Sequence, residues 1–459
     1  MESIWKYNLE MPQKDSLQED THIQTLIIGG GMAGVLTAYL LKQRGIESVI
    51  VEAKTIGSGQ TENTTAKITS QHGLFYAKCI KDAGYVSAKD YARVNEEAIH
   101  IYEQIIRKER IDCDFRKLPS YLYTCKKTGV RELKEEALAA KSLGIHAKYV
   151  EGEDIKELPF SVEGAVRFYN QAQFHPLKFL MHLAKELQIY ENTKVLSVNG
   201  HTVVTDKGTI YAENIIFACH YPITNLPGFY FLRQHQEKSY VMALQCEKAL
   251  EGMYYGIDKN SLSFRSAEGA LLLGGGGHRT GKCLCQLPEE EKQNYGYTFL
   301  KKEAAHYYPK LKEISHWSAQ DCMSHDGIPF IGTYSYFRPY WYVATGFKKW
   351  GMTSSMVSAM ILSDCISERI SGFEKTFSPQ RLLIRAGIKD FLVDVAESIR
   401  GLSKGLFSKK ERRCPHMGCR LEWNNEEDRW DCPCHGSGFD KNGELLDNPA
   451  QTDIKKNKL

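Results

Sequence analysis

The stretch IQTLIIGGGMAGVLTAYLLKQRGIESVIVE, residues 23–52, decides the fold. It opens with an apolar run, residues 23–28, that reads as a buried strand. Gly29-Gly30-Gly31-Met32-Ala33-Gly34 follows, then a helical pattern over 35–44, then a second strand over 48–51 that ends on Glu52. Strand, G-x-G-x-x-G, helix, strand and acid, in that order, make the fingerprint of a dinucleotide-binding βαβ unit. Each position has a physical task. Gly29 makes the tight turn, Gly31 lets the backbone approach a pyrophosphate, and Gly34 allows the helix to pack closely on the strand. Phosphate rests on the helix N-terminus, and Glu52 accepts from ribose hydroxyls. A glycine triplet alone is a commonplace of turns; the flanking elements make this one specific.

At the other end of the chain stand Cys414-Pro415-His416 and Cys432-Pro433-Cys434-His435. C-x-H paired with C-x-x-H delivers two thiolates and two imidazoles from two short loops. A zinc site of two cysteines and two histidines would instead show C-x2–4-C and H-x3–5-H pairs. Ordinary buried side chains do not explain two mixed pairs, each followed closely by a glycine, Gly418 and Gly436. The segment resembles the Rieske family, from CPHMGC (414–419) through WDCPCHGSGFD (430–440) to Gly443 and Pro449. The resemblance implies a [2Fe–2S] cluster, with Cys414 and Cys432 on one iron and His416 and His435 on the other. It also implies a disulfide between Cys419 and Cys434 that clamps the loops, and a hydrogen bond from the Ser437 hydroxyl to cluster sulfur. Phe439 stands where respiratory members often carry Tyr, so a second such hydroxyl is missing. Hydrogen bonds to sulfur tune the potential, and a midpoint below that of the respiratory proteins is expected.

Further segments bear on the dinucleotide. Gly57-Ser58-Gly59-Gln60-Thr61 and Thr64-Thr65-Ala66-Lys67 form a small, hydroxyl-rich loop after Glu52. Residues 195–219 read as two strands and a hairpin leading to Ile215-Ile216-Phe217-Ala218. Residues 326–332 precede Tyr342-Val343-Ala344-Thr345-Gly346, and Trp350-Gly351-Met352-Thr353 opens an apolar helix. In this order the segments resemble the D-amino-acid-oxidase and glycine-oxidase superfamily. Lys67-Ile68-Thr69-Ser70-Gln71-His72-Gly73 matches the branch of it that carries a C-terminal Rieske domain. The resemblance implies FAD, contacted by Ser58, Thr64 and Thr65 and reached at its adenine by the backbone of Val195. Gly346, Gly351, Met352 and Thr353 are implied at the flavin's pyrimidine edge, where a helix N-terminus stabilises negative charge. The family's final strand usually ends Ala-Thr-Gly; Ala218-Cys219-His220 departs from that pattern.

Residues 76–190 and 225–320 are expected to form a substrate domain. Residues 92–108 and 130–143 read as helices with Glu and Lys on solvated faces, and 239–244 and 270–274 as strands of a sheet over the flavin. Gly274-Gly275-Gly276-Gly277-His278-Arg279 lacks the G-K-[ST] of a phosphate loop and reads as a turn facing the substrate cavity. Oxidation of a C–N bond by hydride transfer to flavin asks for positioning more than for a strong base. Arg233, His235, Arg265, His278, Arg279 and Lys348 are candidates to bind a carboxylate or orient an amine, and Lys67 is the cation expected nearest the flavin. His175, in Gln173-Phe174-His175-Pro176, is either a general base or part of a turn before a helix. Lys67, His175, Arg279 and Lys348 make the expected catalytic set.

Composition narrows the class. A chain of 459 residues exceeds one ordinary domain. Its 42% hydrophobic and 25% charged residues are a soluble globular balance, and a net charge of +3 offers no ground for nucleic-acid binding. No run of about twenty apolar residues exists, and MESIWKYNLEMPQKDSLQED lacks a charged-then-apolar signal pattern. Thirteen cysteines in such a chain are not a disulfide framework, and those outside the cluster segment read as free thiols. A cytoplasmic location is expected. Ile384, Ile388, Phe391, Leu392, Val395, Ile399 and Leu402 recur at helical spacing, with basic residues off the stripe and Lys409-Lys410 and Arg412-Arg413 beyond. This connector is read as docked on the body or a partner; the alternative, over 384–413, is peripheral contact with an anionic membrane. Little chain other than this helix precedes Cys414. The extra strands of a full Rieske domain are therefore absent or replaced, and residues 408–459 alone should hold no stable cluster.

The expected fold is α/β. A Rossmann-type FAD-binding domain comes in three parts (1–75, 191–224, 321–372) and an α+β substrate domain with a mixed or antiparallel sheet in two (76–190, 225–320). A helical connector (373–411) leads to a minimal, β-rich, Rieske-type cluster-binding subdomain (412–459). The expected function is a flavin-dependent dehydrogenase of a small amine or amino-acid-like substrate, sending single electrons through the cluster to a protein or quinone acceptor. Two alternatives stand beside it: a reductase running the other way, and an electron-transfer or redox-sensing protein with no substrate of its own. A ring-hydroxylating oxygenase needs a mononuclear iron site, and no 2-His-1-carboxylate constellation stands out.

Overall fold

The computed structural model describes residues 2–282, 287–370, 372–381, 392–396, 399, 401–403 and 412–454. The 23–52 stretch forms a strand, Thr21–Ile28, a helix, Met32–Gln43, and a strand, Ser48–Val51. Burial alternates over the first half of Thr21–Ile28 and is complete from Thr25 onward, as in a strand that runs into a sheet covered on both faces. It pairs in parallel with Thr209–Phe217 on one side and Ser48–Val51 on the other. The strand order is Phe330–Ser335, Arg338–Thr345, Thr209–Phe217, Thr21–Ile28, Ser48–Val51, Gln188–Tyr190. Only Phe330–Ser335 runs antiparallel along this path. The hairpin Val195–Asn199 and Thr202–Thr205 attaches to Thr209–Phe217. Helix Gly351–Ile366, buried from Met352 to Ser363, packs beside Met32–Gln43.

A second, nine-stranded sheet faces this one. Its order begins Glu313–Ser324, Gln234–Gln245, Ala270–Arg279 and ends Arg116–Thr124, Gly164–Gln173, Lys67–Ile68. Pairing is antiparallel except between Met253–Gly256 and Arg116–Thr124, so the sheet is mixed. Helix Val130–Ser142 packs on its strands Arg116–Thr124, Ala147–Glu151 and Gly164–Gln173, and Tyr85–Lys108 packs beside Gly351–Ile366. The glycine cluster is not a turn. Gly274 and Gly275 pair with Val241 and Tyr240, and the strand continues to Arg279. Its glycines are packing devices: a Cβ on Gly275 would sit 2.8 Å from the Phe299 ring of helix Gly296–Tyr307.

The third sheet is small and antiparallel: Glu422–Asn424, Arg429–Asp431, Gly438–Phe439, Leu445–Asp447. All its strands follow Cys414. With so few apolar residues of its own, chiefly Leu421, Phe439 and Ala450 around the cysteines, this subdomain leans on the body. Lys238, 1% exposed, ion-pairs with Asp431 at 3.1 Å and with Glu427. Glu426 accepts from Tyr297 N at 2.8 Å and Thr298 N at 3.2 Å, filling open donors at the start of Gly296–Tyr307.

Residues 382–391, 397–398, 400 and 404–411 lie outside the described residues, and with them Ile384, Ile388, Phe391 and Lys409-Lys410 of the connector. In the described part Leu392 and Ile399 are exposed, while Leu402 packs on the cluster subdomain. The buried contact is polar instead, through Asp394. Among the described residues no helix is long and apolar enough to cross a membrane.

Candidate functional site

A cavity of about 910 Å³, near the upper end for small-molecule sites, opens between the first two sheets. Gly29, Gly31, Glu52, Ser58, Thr64, Thr65, Val195, Gly351 and Met352 all line it. Its cradle is made of backbone. Gly29 has φ +115°, and a Cβ there would lie 2.6 Å from the Ala218 carbonyl oxygen. A Cβ on Gly34 would come within 2.0 Å of the Gly29 oxygen, so Gly34 shapes the cradle from behind. Glu52 accepts from Gly30 N at 2.7 Å and Lys54 N at 2.9 Å; burial raises its pKa against those two amides. Gly346 and Thr353 stand outside the lining. Gly346 packs on Ser324 and Gln234, and the Thr353 hydroxyl donates to Thr69 O at 2.7 Å, pinning the helix start to the 67–73 segment. A long cavity with a glycine cradle at a helix start and an acid beyond it fits FAD.

The structure separates the expected catalytic residues. Lys67 and Lys348 line the cavity. Lys67 Nζ donates to Tyr254 O at 3.0 Å, and burial, then the Arg265 charge, push its pKa down to about 7. Lys348 holds φ +54°, a left-handed conformation costly for a side-chain-bearing residue, and burial lowers its pKa too. Two neighbours had no sequence signal. Asp321 is raised to about 7 by burial, and Lys349 is held above its ordinary value, despite burial, by Glu237 at 3.2 Å. His175 lies elsewhere. It caps helix Pro176–Ala184, its Nδ1 accepting from Lys178 N at 3.2 Å, beside a separate hollow of about 180 Å³. Burial depresses it to about 4, and its place is that of a turn before a helix. Arg265 is likewise spent on the Thr65, Ala66 and Phe174 carbonyls. Arg233 stacks on Phe330 and His278 meets Tyr240, both outside the cavity.

Arg279 is also turned away. It binds Asp394 of the connector and reaches the Cys434 carbonyl at 3.5 Å. Asp394 accepts as well from His325 Nε2 at 2.5 Å and His235 Nδ1 at 3.1 Å. Against the pull of burial, the two histidines hold the carboxyl well below the usual carboxylate range. A grouping of two histidines and one carboxylate therefore exists, contrary to the sequence reading, because the fold joins three distant segments. With Arg279 on the carboxylate it is a charge-satisfied clasp between connector and body.

In the cluster pocket Cys414, Cys432 and His435 are buried. The His416 and His435 rings lie 5.0 Å apart at 88°. Both Nδ1 atoms are buried without a hydrogen-bond partner among the described residues. Two orphaned imidazole nitrogens facing a pair of thiols are the donor set a Rieske cluster requires. His416 Nε2 donates to Asn225 Oδ1 at 2.7 Å, which leaves Nδ1 unprotonated for a metal. The Cys414 thiol is drawn down to about 7, first by its hydrogen bond with Cys432, while Cys432 is pushed up. Ser437 bonds the Cys414 sulfur, and a disulfide joins Cys419 to Cys434.

Cavity and pocket share one wall. On the strands Gln234–Gln245 and Glu313–Ser324, Ser239, Val241, Ala319 and Asp321 face the cavity. Gln236, Lys238, Ser318 and Gln320 bond the cluster subdomain on the other face. The period of two along a strand produces this division, interrupted at Tyr240, which lines the cavity although it shares the parity of Gln236 and Lys238. A hydrogen-bonded line crosses it: Gln236 Nε2 donates to His435 O at 2.8 Å, Gln320 Nε2 to Gln236 Oε1 at 2.6 Å, and Gln320 N to Gln60 Oε1 at 2.8 Å. Gln60 lines the cavity.

A two-sheet fold with a dinucleotide cavity, backed by a pocket of two cysteines and two histidines, defines an FAD-dependent oxidoreductase with an attached Rieske centre. Residues 24–365 match the family described as FAD dependent oxidoreductase, and residues 400–458 match the Rieske [2Fe-2S] domain. The chain belongs to that oxidoreductase family. The Bacillus subtilis (strain 168) protein YhfW, whose name describes a Rieske 2Fe-2S iron-sulfur protein, is 34% identical over 99% of this chain and 97% of its own. Glycine oxidase from Geobacillus kaustophilus superposes with a TM-score of 0.65 at 18% identity, covering 79% of this chain and 99% of its own. L-proline dehydrogenase from P. horikoshii gives 0.64 at 19% identity, covering 80% and 98%. At such identities these two share the fold.

Proposed function

We propose that this protein is a dehydrogenase that oxidises a C–N bond of a small amine or amino acid and passes the electrons singly to an external acceptor, a protein or a quinone. The observation that carries the reading is the shared wall, which sets the cavity and the cluster pocket on opposite faces of the same strands. When bound, FAD supplies two-electron chemistry and the cluster one-electron transfer. Glycine oxidase and L-proline dehydrogenase, which share the fold, are named for amino-acid substrates. The chain's own residues suit such a substrate. The Lys348 ammonium, inside the cavity, binds a carboxylate. Lys67, near neutrality in its pKa, takes the proton of a substrate ammonium at Nζ.

An anaerobic screen of amines, amino acids and imino acids tests this. The expected result is loss of flavin colour together with the EPR signal of a reduced cluster. Bleaching with a silent cluster would overturn the electron route, and silence of both under every compound would overturn the substrate class. Turnover with oxygen should be slow beside that with an artificial one-electron acceptor; equal rates would sink the dehydrogenase reading. Lys348→Met should raise KM for a carboxylate-bearing substrate about tenfold, the loss of one charged hydrogen bond.

A further inference from the structure

One end of the cavity is closed by the cluster subdomain. Leu446, Asp447, Asn448 and Ala450 line it alongside Glu52 and Val195, where the adenosine half of a dinucleotide belongs. This turn is fastened to the dinucleotide sheet. Asn448 Nδ2 donates to the carbonyls of Cys219 and Tyr221, at 3.2 Å each, in the loop after Thr209–Phe217. Lys194 Nζ donates to Gln451 O at 3.1 Å. The turn is fastened equally to the cluster loops. Ala450 N donates to Ser437 Oγ at 3.0 Å, and Ser437 also bonds the Cys414 sulfur. Gln236 Nε2 is shared between His435 O at 2.8 Å and Asn448 O at 3.0 Å. A single serine side chain thus separates a cavity-lining residue from a ligand thiol, and one glutamine amide holds both the ligand loop and the wall.

We propose that residues 445–451 of the cluster subdomain form the adenosine-end wall of the FAD site, and that FAD binding and cluster loading strengthen each other through Ser437 and Gln236. An adenosine packed on this turn orders Asn448 to Ala450, and with them the Ser437 hydroxyl and the His435 carbonyl. A loaded cluster orders the same groups from the other side. Two ligands that favour one arrangement of shared groups are coupled, and the coupling is reciprocal. It is independent of substrate identity and of the direction of electron flow.

The test is a binding measurement on the full chain, freed of flavin and loaded with cluster, titrated with FAD and with FMN by quenching of flavin fluorescence. Leu446→Glu alters a side chain that is 38% exposed, and Asn448→Ala removes the clip to Cys219 and Tyr221. Unchanged cluster absorbance verifies that each variant is folded. Each should weaken FAD about tenfold and leave FMN, which lacks the adenosine, unchanged. FAD affinity that does not move, or FAD and FMN weakened alike, overturns the wall. In a second arm, the wild-type cluster is challenged with an iron chelator with and without saturating FAD. Bleaching should be about tenfold slower with FAD; equal rates overturn the coupling.

Discussion

At Gly34 the dinucleotide cavity has no room for a Cβ, which would lie 2.0 Å from the Gly29 oxygen, whereas the cluster pocket offers side chains, two thiols and two imidazoles whose Nδ1 atoms have no hydrogen-bond partner among the described residues. The first site works by removing side chains so that backbone can approach its ligand. The second works by presenting them. The two also differ in self-sufficiency. The cavity is framed by two large sheets. The pocket rests on a four-stranded sheet held to the body by Lys238, Glu426 and Gln236. A side-chain site on a small support takes its fold from its neighbours, whereas a backbone site on a large one borrows only part of its wall, residues 445–451.

The comparison breaks most sharply if either site fails to be lost on its own. Gly34→Val should abolish FAD binding, read by flavin absorbance of the purified protein, and leave the cluster's EPR signal. Cys432→Ser should abolish the cluster and leave FAD bound, at the reduced affinity argued above. Loss of both cofactors in Gly34→Val would show the backbone cradle to be a support of the subdomain as well. The next effect is on support. Lys238→Met leaves Glu427 without its buried cation and Asp431 with Arg429 alone, and should cost about 3 kcal/mol, seen as earlier loss of cluster absorbance in urea. The smallest effect is on tuning. Ser437→Ala should lower the cluster midpoint by about 60 mV, one charge-assisted hydrogen bond on a one-electron couple, and Phe439→Tyr should raise it.

What was legible in the sequence follows the same division. Gly29, Gly31 and Gly34 lie within one turn of chain, and each cluster loop carries its ligands within a few residues, so local spacing is enough to read them. Asp394 is different. Its meaning comes from His235, His325 and Arg279, which only the fold brings to it, and an acid between two valines has no periodic signature. Arg279 was misplaced for the same reason: a cation after a glycine cluster suggests a cavity until the strand is seen to carry it past. His175 was open to two readings, and the polar residue before Pro176 is the helix-start signal behind the one the fold shows, a turn before a helix. Gln236 and Gln320 had no signal at all; an amide in a strand says nothing of what lies on either side.

The shared wall also limits how this protein can change. Along Gln234–Gln245 neighbouring residues serve different cofactors, so an insertion or deletion of one residue would swap the two allegiances over the rest of the strand. Ser239 and Val241 would be turned toward iron, and Gln236 or Lys238 toward flavin. Drift in length, which loops absorb freely, is closed to this strand, and the two redox centres are bound to evolve as one inheritance, altered by substitution alone.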